Sequence, residues 1–146
     1  VGKVEKIDTT VVLSGIFYRD KKILLLKRSD ASSWAKGAWQ MPEGKLRHGE
    51  RPIDALRREV EEETGLRLKE AYVKAVWSGT KKVNGTVRHV VRIICEGKLQ
   101  NGEVKLSKEH TKYGWFKPAK AIKLNLATGV KEILNTINSK KNGALI

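Results

Sequence analysis

Cysteine occurs once in these 146 residues, at Cys95. That excludes an internal disulfide framework and fits a reducing compartment, the cytoplasm. Cys95 closes the apolar run VVRIIC and reads as a core residue, not a nucleophile. His48 and His89 have neither triad nor metal-ligand spacing with Cys95 or with each other, so nucleophilic catalysis and zinc chemistry find no support. Long hydrophobic runs are also missing. No stretch approaches the ~18 apolar residues of a membrane span, and the opening VGKVEKIDTT has no signal-peptide organisation. There is no repeat, linker or low-complexity segment. The length suits one domain, residues 1–146, with its own core. Acidic residues are outnumbered, 16 against 30 Lys and Arg, for a net charge of +14.

This scarcity makes their placement informative. Seven of the 16 acids fall within residues 43–63. Such crowding is unfavourable unless a cation is shared, and hard divalent ions such as Mg²⁺ take oxygen ligands and bind together with substrate phosphates. Pro52 suits a first helical position and Gly65 a helix end. Between them, Ile53, Leu56 and Val60 make an apolar stripe at i, i+3 and i+7. Glu59, Glu62 and Glu63 share a neighbouring stripe, while Glu61 falls towards solvent. Arg58 lies four residues before Glu62, and Arg57 four before Glu61, a spacing that favours ion pairs. Helix geometry alone leaves a solvated, charge-laced surface helix as good an explanation as a metal site.

The complete spacing separates the two. Gly44, Glu50, Arg58, Glu59, Val60, Glu62, Glu63, Gly65 and Leu66 occupy every specified position of G-x5-E-x7-R-E-U-x-E-E-x-G-U, where U is aliphatic. This pattern is the Nudix box, and the chain resembles a MutT-like Nudix hydrolase. The resemblance implies Mg²⁺- or Mn²⁺-dependent cleavage of a pyrophosphate bond in a nucleoside diphosphate joined to a further group. It implies Glu59, Glu62 and Glu63 as metal ligands and Arg58 as the residue that orients them. Gly44, Glu50 and Gly65 are then structural supports. The general base stays open among Glu62, Glu63 and Glu109.

The resemblance also implies an α/β (α+β) Nudix fold, a mixed sheet sandwiched between helices, and the remaining patterning agrees. TTVVLSGIFY and KILLLKRS flank the turn at residues 19–22 and read as a hairpin. EAYVKAVWSG and TVRHVVRIICEGKL flank KKVNG, whose Asn84-Gly85 pair is a hairpin-turn signal. HTKYGWFK is a final strand candidate. Over residues 127–138, Val130, Ile133, Leu134 and Ile137 share one helical face, and the tail SKKNGALI reads as frayed.

Outside the box, Trp39-Gln40-Met41-Pro42 resembles the W-x-x-P segment that leads into it, which makes the carbonyl of Glu43 a candidate metal ligand. Glu43 stands where the commonest version has glycine. This departure leans towards dinucleoside polyphosphate hydrolases and RNA 5′-end pyrophosphohydrolases. The stretch from Glu109 to Phe116, EHTKYGWF, resembles E-H-x-x-Y-x-W-[FLV] of diadenosine tetraphosphate hydrolases. It implies Glu109 as a further metal ligand, with Glu103 as the alternative, and Tyr113 as a base-stacking residue. His110 reads as an ordinary histidine, and Trp115 and Phe116 as residues packing inward. Arg28 and Lys45 are candidate phosphate contacts. Trp34 either flanks a base or packs beneath its loop.

The expected substrate is thus a nucleotide, with a dinucleoside polyphosphate such as diadenosine tetraphosphate first. Nucleoside triphosphates, including oxidised ones, come next, then RNA 5′ ends. A catalytically silent nucleotide- or RNA-binding module is the non-enzymatic alternative. Residues 43–63 are net −2 and the rest of the chain +16, a field that draws in polyphosphates. The lysines are dispersed, so a dedicated RNA role is not favoured, no membrane partner is expected, and monomer and homodimer stay open.

Overall fold

The computed structural model describes residues 7–32 and 34–138, so the tail SKKNGALI lies outside the described residues. Strands β1 (Ile7–Arg19) and β2 (Lys22–Arg28) form the first hairpin. Asp20 and Lys21 at its turn take φ of 52° and 63°, the left-handed pair that matches strand twist. Two short strands follow, β3 (Trp39–Gln40) and β4 (Glu43–Lys45), and then helix α1 (Pro52–Thr64). Strands β5 (Leu68–Val83) and β6 (Thr86–Leu99) make a long hairpin around Asn84-Gly85. The chain continues through β7 (His110–Phe116), the short α2 (Pro118–Ala121) and α3 (Val130–Asn138).

The sheet order is β3-β2-β1-β6-β5, with β4 also paired to β1 and β7 to β2. β1 and β6 run parallel from Ile7↔Val87 to Phe17↔Gly97, and the other pairings are antiparallel. The sheet is therefore mixed. Alternation along β1 sends Leu13 and Phe17 to one face, where they pack with Ala55, Leu56 and Val60 of α1 and with Cys95. Ile16 faces the other way and joins Ile23, Leu25, Ile94 and the α3 residues Val130, Ile133 and Leu134. Helices cover both faces, so the expected sandwich is present.

Three local details differ from the sequence pattern. β5 and β6 extend to the turn itself, because Lys81, Lys82 and Val83 pair with Arg88, Val87 and Thr86. α3 begins at Val130, after Gly129 at φ +85°, and so leaves residues 127–129 outside it. Arg57 pairs with Asp54 at 3.2 Å, one turn back, instead of with Glu61. Among the described residues, no helix is long and apolar enough to cross a membrane.

Candidate active site

The apolar stripe of α1 fixes the rotation of the helix and hence the direction of its carboxylates. Val60 is fully buried, and three residues later Glu63 is only 3% exposed. The Glu43 backbone N–H donates to Glu63 Oε1 at 2.8 Å, tying helix to β4. Glu59 lies one turn earlier, against Gly44, where any Cβ would overlap its carboxylate. The box glycine thus permits a close approach that no other residue allows. Glu109 sits just before β7 and remains exposed. Its carboxylate, that of Glu63 and a ring nitrogen of His110 all lie within 4.8 Å of one another.

Burial pushes the Glu63 carboxyl well above its ordinary 4.5, and the nearby Glu43, Glu59 and Glu109 carboxylates add to that shift. Glu59 is also raised, chiefly by burial, with Glu62 and Glu109 contributing. Negative charge crowded around these two buried carboxyls fits a divalent cation, which would relieve the repulsion. Gly44→Ala is expected to displace Glu59 and lower turnover by about 10²-fold, the scale of an ångström-sized misplacement. Circular dichroism should be unchanged, and steady-state kinetics reads the loss.

Arg58 clamps the preceding loop to the helix. Its Nε and Nη2 donate to the two oxygens of Glu50, each at 2.9 Å. Nη2 also reaches the Lys45 carbonyl at 3.0 Å, and Nη1 bonds Glu59. The Arg58 hydrogen bond holds the Glu50 carboxyl down to about 2, and that same bond raises the guanidinium. Glu62 lies 3.7 Å from Arg58 with a half-exposed side chain, and lines a separate shallow cavity with Glu61, Asp54 and Arg57. Gly65 ends the helix at φ 71° and donates its N–H to Glu61.

Glu59, Glu63 and Glu109 line a cleft of about 740 Å³ that also takes in Arg28, Trp34, Lys45 and Gly44. Tyr113 and Glu103 are exposed and do not line it. Trp34 packs partly on the core beneath its loop and is pinned from the cleft side by two cations. Lys81 Nζ lies 3.3 Å from its ring centroid and the Arg28 guanidinium 4.6 Å. Burial, then Arg92, Arg88 and Arg28, bring the Lys81 ammonium down to about 8.

Arg92 is the principal residue that pattern reading passed over, although an arginine within VVRIIC breaks an apolar run. It is 3% exposed, and its Nε donates to Glu43 Oε2 at 2.9 Å. Ser14 Oγ donates to that oxygen at 3.0 Å, and Arg92 Nη1 reaches the Thr128 carbonyl at 2.8 Å. The Glu43 side chain is therefore the internal counter-ion of Arg92. His110 is buried too. Its Nε2 meets Gln40 Nε2 at 3.3 Å, and desolvation with Arg28 nearby holds the imidazole down to about 4.

Residues 8–137 match the family model described as NUDIX domain. The chain is 30% identical over 110 residues to a MutT-like protein of Streptomyces ambofaciens, an alignment that covers 75% of this chain and 64% of that one. It therefore spans less than two thirds of that relative. It is 25% identical over 131 residues to the nucleoside triphosphatase NudI of Escherichia coli, covering 84% and 92% of the two chains. The crystal structure of a MutT protein from Methanosarcina mazei Go1 superposes with a TM-score of 0.77 at 26% identity, covering 95% of this chain and all of that one.

Proposed function

The chain belongs to the NUDIX domain family, and from that premise we propose that it hydrolyses a pyrophosphate bond in a nucleotide substrate with the help of a divalent metal ion. The observation that carries this is the convergence of Glu59, Glu63 and Glu109 in the cleft that also holds Arg28, Lys81 and Arg88. Carboxylates to hold cations and cations to hold phosphates share one concavity. Glu59, Glu63, Glu109 and the Glu43 carbonyl are the proposed donors for Mg²⁺ or Mn²⁺. Bound there, the ion neutralises phosphate oxygens and lowers the pKa of a water. Arg58 positions Glu59, Arg28 and Lys81 bind phosphate oxygens, and Lys45 lies at the exposed rim. Glu62 stands outside the cleft and contributes less. The activity is assigned to a single domain over residues 1–146.

We assign a dinucleoside polyphosphate such as diadenosine tetraphosphate as the substrate, on the room in the cleft and its series of cations. Glu43 and the Glu109–Phe116 segment are the two sequence features that lean the same way: the Glu43 side chain pairs with Arg92, and of that segment Glu109 lines the cleft while Tyr113 lies off it. A nucleoside triphosphate is the second assignment, favoured by the nucleoside triphosphatase relative. Product analysis on a nucleotide panel with Mg²⁺ or Mn²⁺ tests both. ATP plus AMP from diadenosine tetraphosphate is the expected outcome. A nucleoside monophosphate plus pyrophosphate would transfer the assignment to triphosphates. No metal-dependent cleavage of any member would overturn the hydrolase assignment.

A further inference from the structure

Behind the carboxylates stands an imidazole that the proposed oxygen ligand set does not use. His110 opens β7 directly after Glu109, and its side chain is fully enclosed. Its Nδ1 has no hydrogen-bond partner among the described residues. The nearest carboxylate oxygen, Glu63 Oε2, lies 3.6 Å away, beyond hydrogen-bond length. An orphaned ring nitrogen deep in a protein is costly, because nothing replaces the water it has lost. Yet 3.6 Å falls within the roughly 3–4.2 Å that separates two donors about 2.1 Å from one shared ion. The other ring nitrogen meets the Gln40 amide. With that amide turned so that its oxygen accepts from Nε2–H, Nδ1 keeps a bare lone pair 3.6 Å from Glu63 Oε2, and Glu109 completes the cluster. An acceptor on the far ring nitrogen that fixes the tautomer in this way is the usual companion of a metal-bound histidine.

We propose that His110 Nδ1 is a direct ligand of the metal site, completing Glu63 and Glu109 with nitrogen and biasing the site towards first-row transition ions such as Mn²⁺ over Mg²⁺. This rests on the metal-dependent assignment above and adds a ligand to it. Imidazole binds transition ions far better than it binds Mg²⁺, which keeps to oxygen and water. The nitrogen therefore sets which ion the site prefers.

The test is electron spin echo envelope modulation of Mn²⁺ added to the metal-stripped 146-residue protein. Expected is a ¹⁴N modulation that changes to the ¹⁵N pattern when histidine is ¹⁵N-labelled and vanishes in His110→Gln. Mn²⁺ and Mg²⁺ titrations should show the preference for Mn²⁺ reduced by about 10-fold or more in that variant, the scale for a lost ligand or its support. Should His110→Gln fail to fold, the His48→Gln/His89→Gln protein keeps His110 as its one imidazole and must retain the signal. Bound Mn²⁺ with no nitrogen modulation overturns the His110 assignment and leaves the carboxylate site standing. Binding of Mg²⁺ without Mn²⁺ likewise overturns the His110 assignment alone, and binding of neither ion removes the metal-dependent function and this assignment with it.

Discussion

Glu63→Gln is expected to lower turnover by about 10²–10⁴-fold, the range for a group acting at a reacting centre, and to make the metal-free protein more stable at neutral pH. The two effects share a cause. Glu63 is buried, and its carboxyl is raised well above 4.5 by desolvation first and by neighbouring carboxylates second. The folded protein therefore binds this proton more tightly than the unfolded chain does. Its stabilising contribution is fully present below about pH 4.5 and is lost as pH rises through the raised folded value. At pH 7 the unfolded chain ionises this carboxyl more readily than the folded protein does, which weighs against folding, and glutamine relieves that while its carbonyl still accepts the Glu43 N–H. Thermal midpoints in chelator should be higher for the variant at pH 7, with the difference shrinking as pH falls towards 4.5. Adding metal should stabilise the wild type and leave the variant nearly unmoved. A variant that is less stable than the wild type in chelator at pH 7 would refute the account. Glu62→Gln is the comparator, and its loss of turnover should be smaller. Equal losses would mean that Glu62 leaves Arg58 for the cleft when metal binds.

Glu62 also shows where a one-dimensional pattern stops. The i, i+3, i+4 spacing puts Glu59, Glu62 and Glu63 together on one stripe of α1 and treats the three alike. It does not say which side of that stripe meets β4. The helix is rotated so that Leu56 and Val60 are buried, which carries Glu63 to the Glu43 N–H of β4 and leaves Glu62 beside Arg58. The hairpin turns at Asp20-Lys21 and Asn84-Gly85 were legible because turn chemistry is local. β3 and β4 were not, because strands of two or three residues have no period and exist only through pairing with β2 and β1. The Trp34–Lys81 contact joins residues 47 positions apart, and nothing near either residue in sequence announces it.

Arg92 is the clearest case, and it supports a second prediction with a large effect. The register of β1 against β6 places Arg92 beside Val12, while β4 pairs with the same stretch of β1 and brings Glu43 to Ser14. Two charged residues 49 positions apart thus meet in a space where their side chains are 4% and 7% exposed. Burying such a pair need not stabilise a protein relative to an apolar pair, but removing one partner strands the other. Arg92→Met is expected to destabilise by about 3–5 kcal/mol, because Ser14 alone cannot satisfy a buried Glu43 carboxylate. That corresponds to a midpoint lower by roughly 10 °C for a domain of this size. Adding Glu43→Gln should recover much of the loss, since the neutral amide can still bond Ser14 and no charge is left without a partner. Chemical denaturation of the single and double variants reads the coupling directly. If Arg92→Met costs no more than a surface substitution, or if the second change recovers nothing, the pair is not what holds Glu43 in place. Where the coupling is found, it explains why glutamate can stand at the position before Gly44: its side chain neutralises Arg92 while its backbone N–H holds Glu63.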